Sequence, residues 1–326
     1  IIVLLGSVAL KNILGEEYKG DSRFVDKCRK LQSIYRYEIG EEIRPYTDRY
    51  GKVHYYGNYI ENGDTPRECG DGWKNFLTEY AFNYAKDRVT NRHKYETIES
   101  DRLFNNLLSS QPMAFNLFCP LRQMREKSPE TATKVIKAAL PNYPIHKVTE
   151  VALEFIPANH EKLTGDKSAM DAIIRFEDEE GKDGFIAIET KYSENLGTNV
   201  ASRREKSIEC IKQLKCFSPD VEQSIIAGNT ALTQIYRNFL LSEMYGFYEG
   251  IQSYSIILAP KEHPTTNNEL ESLTNVLRDE YKNKIKKIDL ENFVNTIINN
   301  SPNEYRAVFE RFYDRYLNFD KLKDFE

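Results

Sequence analysis

The stretch Asp171–Lys191, DAIIRFEDEEGKDGFIAIETK, constrains the fold of this chain more than any other. Phe185, Ile186, Ala187 and Ile188 form an unbroken apolar run. A strand of that kind has both faces covered, so it belongs in the middle of a sheet between two layers. Another strand, Asp171–Phe176, precedes it, and Asp178–Gly184 supplies the polar and glycine residues of a turn. Side chains alternate along a strand, so Glu189 and Lys191 share a face and Thr190 takes the other. Pairing the strands antiparallel brings Asp171 beside Glu189 and Lys191, to within a register step. Two carboxylates and a lysine then meet at the open end of a buried hairpin.

The rest of the chain reads as helices around a few strands. Apolar stripes predict helices over Asp21–Glu38, Trp73–Val89 and Glu96–Leu108, with Pro112 ending the third. The basic residues Arg23, Lys27, Arg29, Lys30 and Arg36 read as a solvated face of the first. Arg44–Cys69 has no period and reads as an irregular hairpin, with Tyr55-Tyr56-Gly57-Asn58-Tyr59 its most distinctive run. Ser128 caps a helix that opens on Pro129 and stops at Pro141. Val148–Ile156 alternates as a strand, with Val151, Leu153 and Phe155 on one side and Glu154 on the other. Beyond the hairpin come a loop over 197–202, helices over Arg203–Phe217 and Asn229–Tyr245, and a strand over Gln252–Leu258. Helices over Asn267–Tyr281 and Leu290–Asn299 follow. Ser301-Pro302-Asn303-Glu304 reads as a capping box starting a last helix that ends near Leu317.

The fold class is therefore α/β: a core with a central mixed β-sheet flanked by helices, plus N- and C-terminal helical elaborations. The expected division is a mainly helical region 1–127, the core 128–260 and a helical region 261–326, unless all three form one continuous domain. The first ten residues, IIVLLGSVAL, are too short an apolar run to span a bilayer and read as a buried first strand. No membrane association is expected. Five cysteines without a CxxC pair read as reduced thiols of a cytoplasmic protein. The five histidines are scattered without an HExxH, which argues against a zinc hydrolase. The net charge of -5 gives a nucleic-acid partner no overall support, so any such partner needs a local basic groove.

Three acidic positions converge in this reading: Glu154, Asp171 and Glu189. Two carboxylates ~4 Å apart repel by about 1 kcal/mol even in water, and more in a cleft. A hard divalent cation turns that repulsion into binding, and Mg²⁺ suits two carboxylates, a carbonyl and retained waters. The carbonyl of Thr190 is the natural extra ligand. Lys191 would sit beside a metal-activated water, orient it or help deprotonate it, and offset negative charge on a phosphate in flight. The bland alternative is an ion pair between Glu189 and Lys191 at a sheet rim. An ExK triplet by itself is weak, since Glu17-Tyr18-Lys19 and Glu280-Tyr281-Lys282 have the same form.

Glu154, Asp171 and Glu189-Thr190-Lys191 resemble the motif of the PD-(D/E)XK nuclease superfamily, the restriction-endonuclease-like fold. Met170 stands where the name has Pro. The chain is closer still to a bacterial family of largely uncharacterised members within it. That likeness rests on Leu31-Gln32-Ser33, Tyr35-Arg36, Asn75-Phe76-Leu77, Ser109-Ser110-Gln111, Phe115-Asn116-Leu117-Phe118, Lys191–Leu196 and Gln234-Ile235-Tyr236-Arg237-Asn238. The resemblance implies that Asp171 and Glu189 bind Mg²⁺ or Mn²⁺, that Glu154 supports them and that Lys191 is the catalytic lysine. It implies a polar residue lent by a later helix: Gln234 first, Arg237 second. Ser109, Gln111 and Asn116 either touch the scissile strand or satisfy backbone groups around a helix end. The implied activity is metal-dependent hydrolysis of DNA rather than RNA, with a protein partner or a second copy as an option. The other reading is a catalytically inactive nuclease-fold protein that binds nucleic acid or acts as a scaffold.

Overall fold

The computed structural model describes residues 12–68, 70, 72–92, 98–165, 169–197 and 204–324. The apolar start, the loop over 198–202 and residue 203 lie outside them. In chain order the helices are α1 Arg23–Glu38, α2 Glu79–Thr90, α3 Ser100–Asn105, α4 Ser110–Lys127, α5 Pro129–Ala139, α6 Arg204–Leu214, α7 Pro219–Ala227, α8 Gln234–Glu249, α9 Thr266–Thr274, α10 Asp279–Lys282, α11 Leu290–Asn300 and α12 Asn303–Tyr316. The strands are β1 Tyr46–Thr47, β2 Val53–His54, β3 Lys147–Phe155, β4 Met170–Glu177, β5 Asp183–Thr190, β6 Gln252–Ala259 and β7 Ile285–Asp289.

β5 is central, as its apolar run requires. The main sheet has the order β3-β4-β5-β6-β7. The β3-β4 and β4-β5 pairs are antiparallel, and β5-β6 and β6-β7 are parallel. Alternation along the strands sorts two cores. Ala172, Ile174, Ile186 and Ile188 pack with Phe115 and Phe118 of α4, Val135 of α5 and Phe309 of α12. Ile173, Phe185 and Ala187 pack with Ile211 of α6 and Ile235 and Phe239 of α8. The sheet is thus sandwiched between two helical layers, an α/β architecture of the expected kind. The first core also takes in Phe24 of α1, so it draws on all three stretches of the expected division.

Several local expectations are corrected. The helix expected from Trp73 begins only at Glu79, where Thr78 accepts the Ala81 N–H at 3.1 Å. Trp73 instead lies in a β-bridge with Pro66 and stacks on Phe82, ring centroids 3.9 Å apart. The helix expected over Glu96–Leu108 shrinks to α3. Pro112 does not end a helix; it sits in the first turn of α4, where its missing N–H has no intrahelical acceptor to lose. The capping box at Ser301 does not form: Pro302 holds the cap position and, among the described residues, the Ser301 hydroxyl has no hydrogen-bond partner. α7 and β7 were not anticipated. β7, Ile-Lys-Lys-Ile-Asp, is an edge strand, and edge strands carry lysines that mask the alternation. Arg36 is not on a solvated face. It is 2% exposed and donates to the carbonyls of Gly57, Glu41, Asn12 and Ile13.

Candidate functional site

Strand register places the acidic residues in one row. Ala172 pairs with Ile188, which sets Asp171 level with Glu189. Leu153 pairs with Ala172 and Phe155 with Met170, which sets Glu154 level with Asp171 on the other side. Neighbouring strands lie ~4.8 Å apart, so the row concentrates negative charge at the sheet's rim. Glu154 adopts φ 49°, a left-handed backbone that costs a non-glycine residue roughly 1–2 kcal/mol. Its carbonyl accepts from Arg88 at 3.0 Å.

Each carboxylate has its own support. Asp171 Oδ2 accepts the Thr190 N–H at 2.7 Å and the Thr190 hydroxyl at 2.8 Å. Thr190 was expected on the opposite face, yet at the strand end its hydroxyl still reaches Asp171. Glu189 accepts from Gln234 at 2.9 Å and from Asn238 at 2.8 Å, both on α8. Lys191 Nζ lies 2.7 Å from Glu189 Oε1, and both side chains are largely buried. Gln111, in the first turn of α4, donates to Glu154 at 2.8 Å. The site therefore sits where both helical layers reach the strand ends.

Burial pushes Asp171 well above the usual carboxylate range, and Glu189 and Glu154 push it further. Glu154 is raised too, by burial first and by Glu189, against the opposing effects of Gln111 and Arg88. Burial pulls Lys191 down, but Glu189 and Asp171 more than offset this and hold it above its ordinary value. At neutral pH Lys191 is a fixed positive charge rather than a base.

The other expected residues are distributed unevenly. Gln234 is at the cluster, and its Oε1 also accepts the Gly197 N–H at 2.5 Å. Arg237 is half-buried on α8, and the second contact to Glu189 comes from Asn238 instead. Ser109 caps α4, accepting the Gln111 N–H at 3.2 Å and the Arg102 Nε at 2.8 Å. Asn116 is not brought to the site. It is fully buried, bonded to Leu77 N–H, the Asn75 carbonyl and the Tyr316 hydroxyl.

Three neighbours were missed. Asn238 stands four residues after Gln234, so its helical spacing was a readable signal. Arg102 and Glu194 form an ion pair of 2.7 Å, and Glu194 also accepts the Ser110 N–H at 2.9 Å. Burial raises the Glu194 pKa, but Arg102, Lys191 and the Ser110 N–H more than offset it and leave it lowered. These two residues are 92 apart in sequence, and no local pattern joins them.

Among the described residues, no group of three or more His, Cys, Asp and Glu side chains is arranged to hold a metal ion. The donors do fit a hydrated Mg²⁺, which takes one or two carboxylates and keeps several waters. Asp171 and Glu189 are level, half-buried oxygen donors. Gln111 Oε1 and Asn238 Oδ1 are buried and, among the described residues, have no hydrogen-bond partner, while their NH₂ groups hold Glu154 and Glu189. Such oxygens are acceptors for waters that the ion retains. Because Asp171 and Glu154 hold protons above their ordinary range, cation binding will release protons. The release grows as pH falls, and affinity falls with it. Calorimetry in two buffers of different ionisation enthalpy measures this; binding without proton release at any pH contradicts it.

No curated protein and no solved structure matches the chain. No described helix is long and apolar enough to cross a membrane. A family model described as PD-(D/E)XK nuclease superfamily matches residues 19–318, which cover most of the chain. That superfamily consists of nucleases, hydrolases of phosphodiester bonds that engage nucleic acid, and its members typically use divalent metals. With a five-stranded mixed sheet between helical layers and a match of that length, the chain belongs to the PD-(D/E)XK nuclease superfamily.

Proposed function

We propose that this chain is a Mg²⁺-dependent deoxyribonuclease in which Mn²⁺ can substitute. One observation carries the reading: Asp171 lies level with Glu189 at the end of a buried hairpin, with Lys191 2.7 Å from Glu189. Asp171 and Glu189, with the Thr190 carbonyl, would hold the cation, and Glu154 supports them. When bound, the cation would lower the pKa of a water and neutralise charge on the phosphate. Gln234 and Asn238 fix the Glu189 carboxylate. Lys191 keeps its proton, orients the attacking water and offsets charge in the transition state. Ser109 and Gln111 position the start of α4 beside Glu154, and Arg237 is offered as a phosphate contact. DNA rather than RNA is assigned from the likeness to restriction-endonuclease-like enzymes, and cytoplasmic action from the cysteine usage.

A second reading draws on a different observation. Every carboxylate of the row already has a protein donor, as expected of a fold that binds nucleic acid without cutting it. Incubating the protein with circular duplex, linear duplex and single-stranded DNA, and with RNA, in Mg²⁺, Mn²⁺ or EDTA separates the two. Metal-dependent cleavage of DNA is the expected result. Intact DNA in both metals at high enzyme concentration would leave the binding module.

A further inference from the structure

The tyrosine-rich run of the hairpin region takes no part in the carboxylate row. It lines an open groove of about 1090 Å³, walled by the chain at 15–20 and by the β1-β2 hairpin. This exceeds the ~300–1,000 Å³ of a typical small-molecule pocket. Its floor is a braced aromatic platform. Tyr46 stacks on Tyr59 and His54 on Tyr56, each with centroids 5.0 Å apart, and Tyr18 meets Tyr56 edge-on at 5.5 Å. At the hairpin tip Tyr50 is 78% exposed, and the Arg49 guanidinium lies 4.8 Å from its ring. Tyr18 is 47% exposed.

The groove carries charges of both signs. Arg29 is neutralised by Asp21 at 2.6 Å. Among the described residues, Lys19, Arg49 and Lys52 make no ion pair, and three carboxylates share the groove with them. Of its carboxylates, Asp48 accepts the Tyr50 and Lys52 N–H groups and contacts His54. Glu16 lies 3.4 Å from His54, and Glu17 is the remaining one. Exposed rings beside unpaired cations suit unpaired bases on a backbone, because only an unpaired base offers its face to a side chain. The same segment leads to the carboxylates. Asn58 donates to Asn106 at 2.8 Å, Tyr59 bridges to Asn106, and the chain from there enters α4 and Gln111.

We propose that this groove binds single-stranded nucleic acid, with bases stacked on Tyr50 and Tyr18 and phosphates met by Lys19, Arg49 and Lys52. It rests on the nuclease reading only in naming nucleic acid as the ligand. The test is fluorescence anisotropy of the full chain in EDTA, with a labelled oligothymidylate and a duplex of equal length. The single strand should bind more tightly. Tyr50→Ala should weaken it by about 5- to 100-fold, and Tyr50→Phe, which keeps the ring but loses the hydroxyl that accepts from Arg49 at 2.6 Å, should weaken it less. Arg49→Ala should reduce the slope of log affinity against log salt by about 0.7. Unchanged binding by Tyr50→Ala, equal loss in Tyr50→Phe, or a preference for duplex overturns the proposal. Tyr50-dependent binding by a protein that never cuts DNA sinks the nuclease reading and leaves the groove standing. Cleavage of single strands that ignores both Tyr50 and Arg49 does the reverse.

Discussion

Asp171→Asn will lower DNA cleavage by about 10³-fold or more while the protein stays folded. Asn keeps the shape of Asp and an oxygen to accept the Thr190 N–H and hydroxyl. It removes only the charge. Loss of one preorganised electrostatic contact costs roughly 10²–10³-fold, and here the lost group would also hold the cation. The stability sign runs the other way. Asp171 has a folded-state pKa above its unfolded value, so its contribution to stability is fully present in acid and drains as pH rises through the raised value. At neutral pH the charge opposes folding, and Asp171→Asn should melt at or above the wild-type temperature. Steady-state cleavage and thermal melting at pH 7 check both halves. Cleavage within tenfold of wild type in Mg²⁺ and Mn²⁺ would mean that the site is elsewhere.

Arg315→Met will strongly destabilise the core. Arg315 is 1% exposed, and among the described residues no carboxylate pairs with it. Its guanidinium lies 4.1 Å from the Tyr35 ring centroid and 4.5 Å from that of Tyr316. It donates to Gln32 Oε1 at 3.1 Å, to the Asn75 carbonyl at 2.9 Å and to Asn75 Oδ1 at 2.5 Å. Met comes close in volume and strands Gln32 Oε1 and Asn75 Oδ1, while the Asn75 carbonyl keeps Asn116 as a donor. Each buried orphan costs about 1–3 kcal/mol, so a loss of about 3–5 kcal/mol is expected, a fall in Tm of about 4–7 °C. A Tm within about 2 °C of wild type would show that the network contributes little.

The central hairpin was legible because burial on both faces and period-two alternation are local properties. Phe185–Ile188 announced the middle strand, and Glu189 and Lys191 had to share a face. Register was legible only to within a step; pairing of Ala172 with Ile188 fixed it. What the sequence hid was non-local or exceptional. Arg102 meets Glu194 across a long loop closure, and Glu154 departs from strand geometry. Pro112 misled because a proline in a helix's first turn looks, in sequence, like a helix's end. Asn116 looked like a site residue because its neighbours were motif-like, but its polarity is spent on the core.

Gln32 of α1 donates to the Tyr192 hydroxyl at 3.1 Å and to the Arg315 carbonyl at 2.9 Å. Tyr192 follows Lys191 directly, so the lysine's backbone is tethered to α1, and α1 is tethered to α12. On a ribosome these partners emerge in the order α1, Lys191, α12, separated by more than a hundred residues each time. The acidic hairpin is synthesised well before the helix that locks its neighbour in place. A growing chain therefore carries the acidic hairpin before α12 exists, and the tether from Tyr192 through Gln32 to α12 is complete only once translation has passed Arg315.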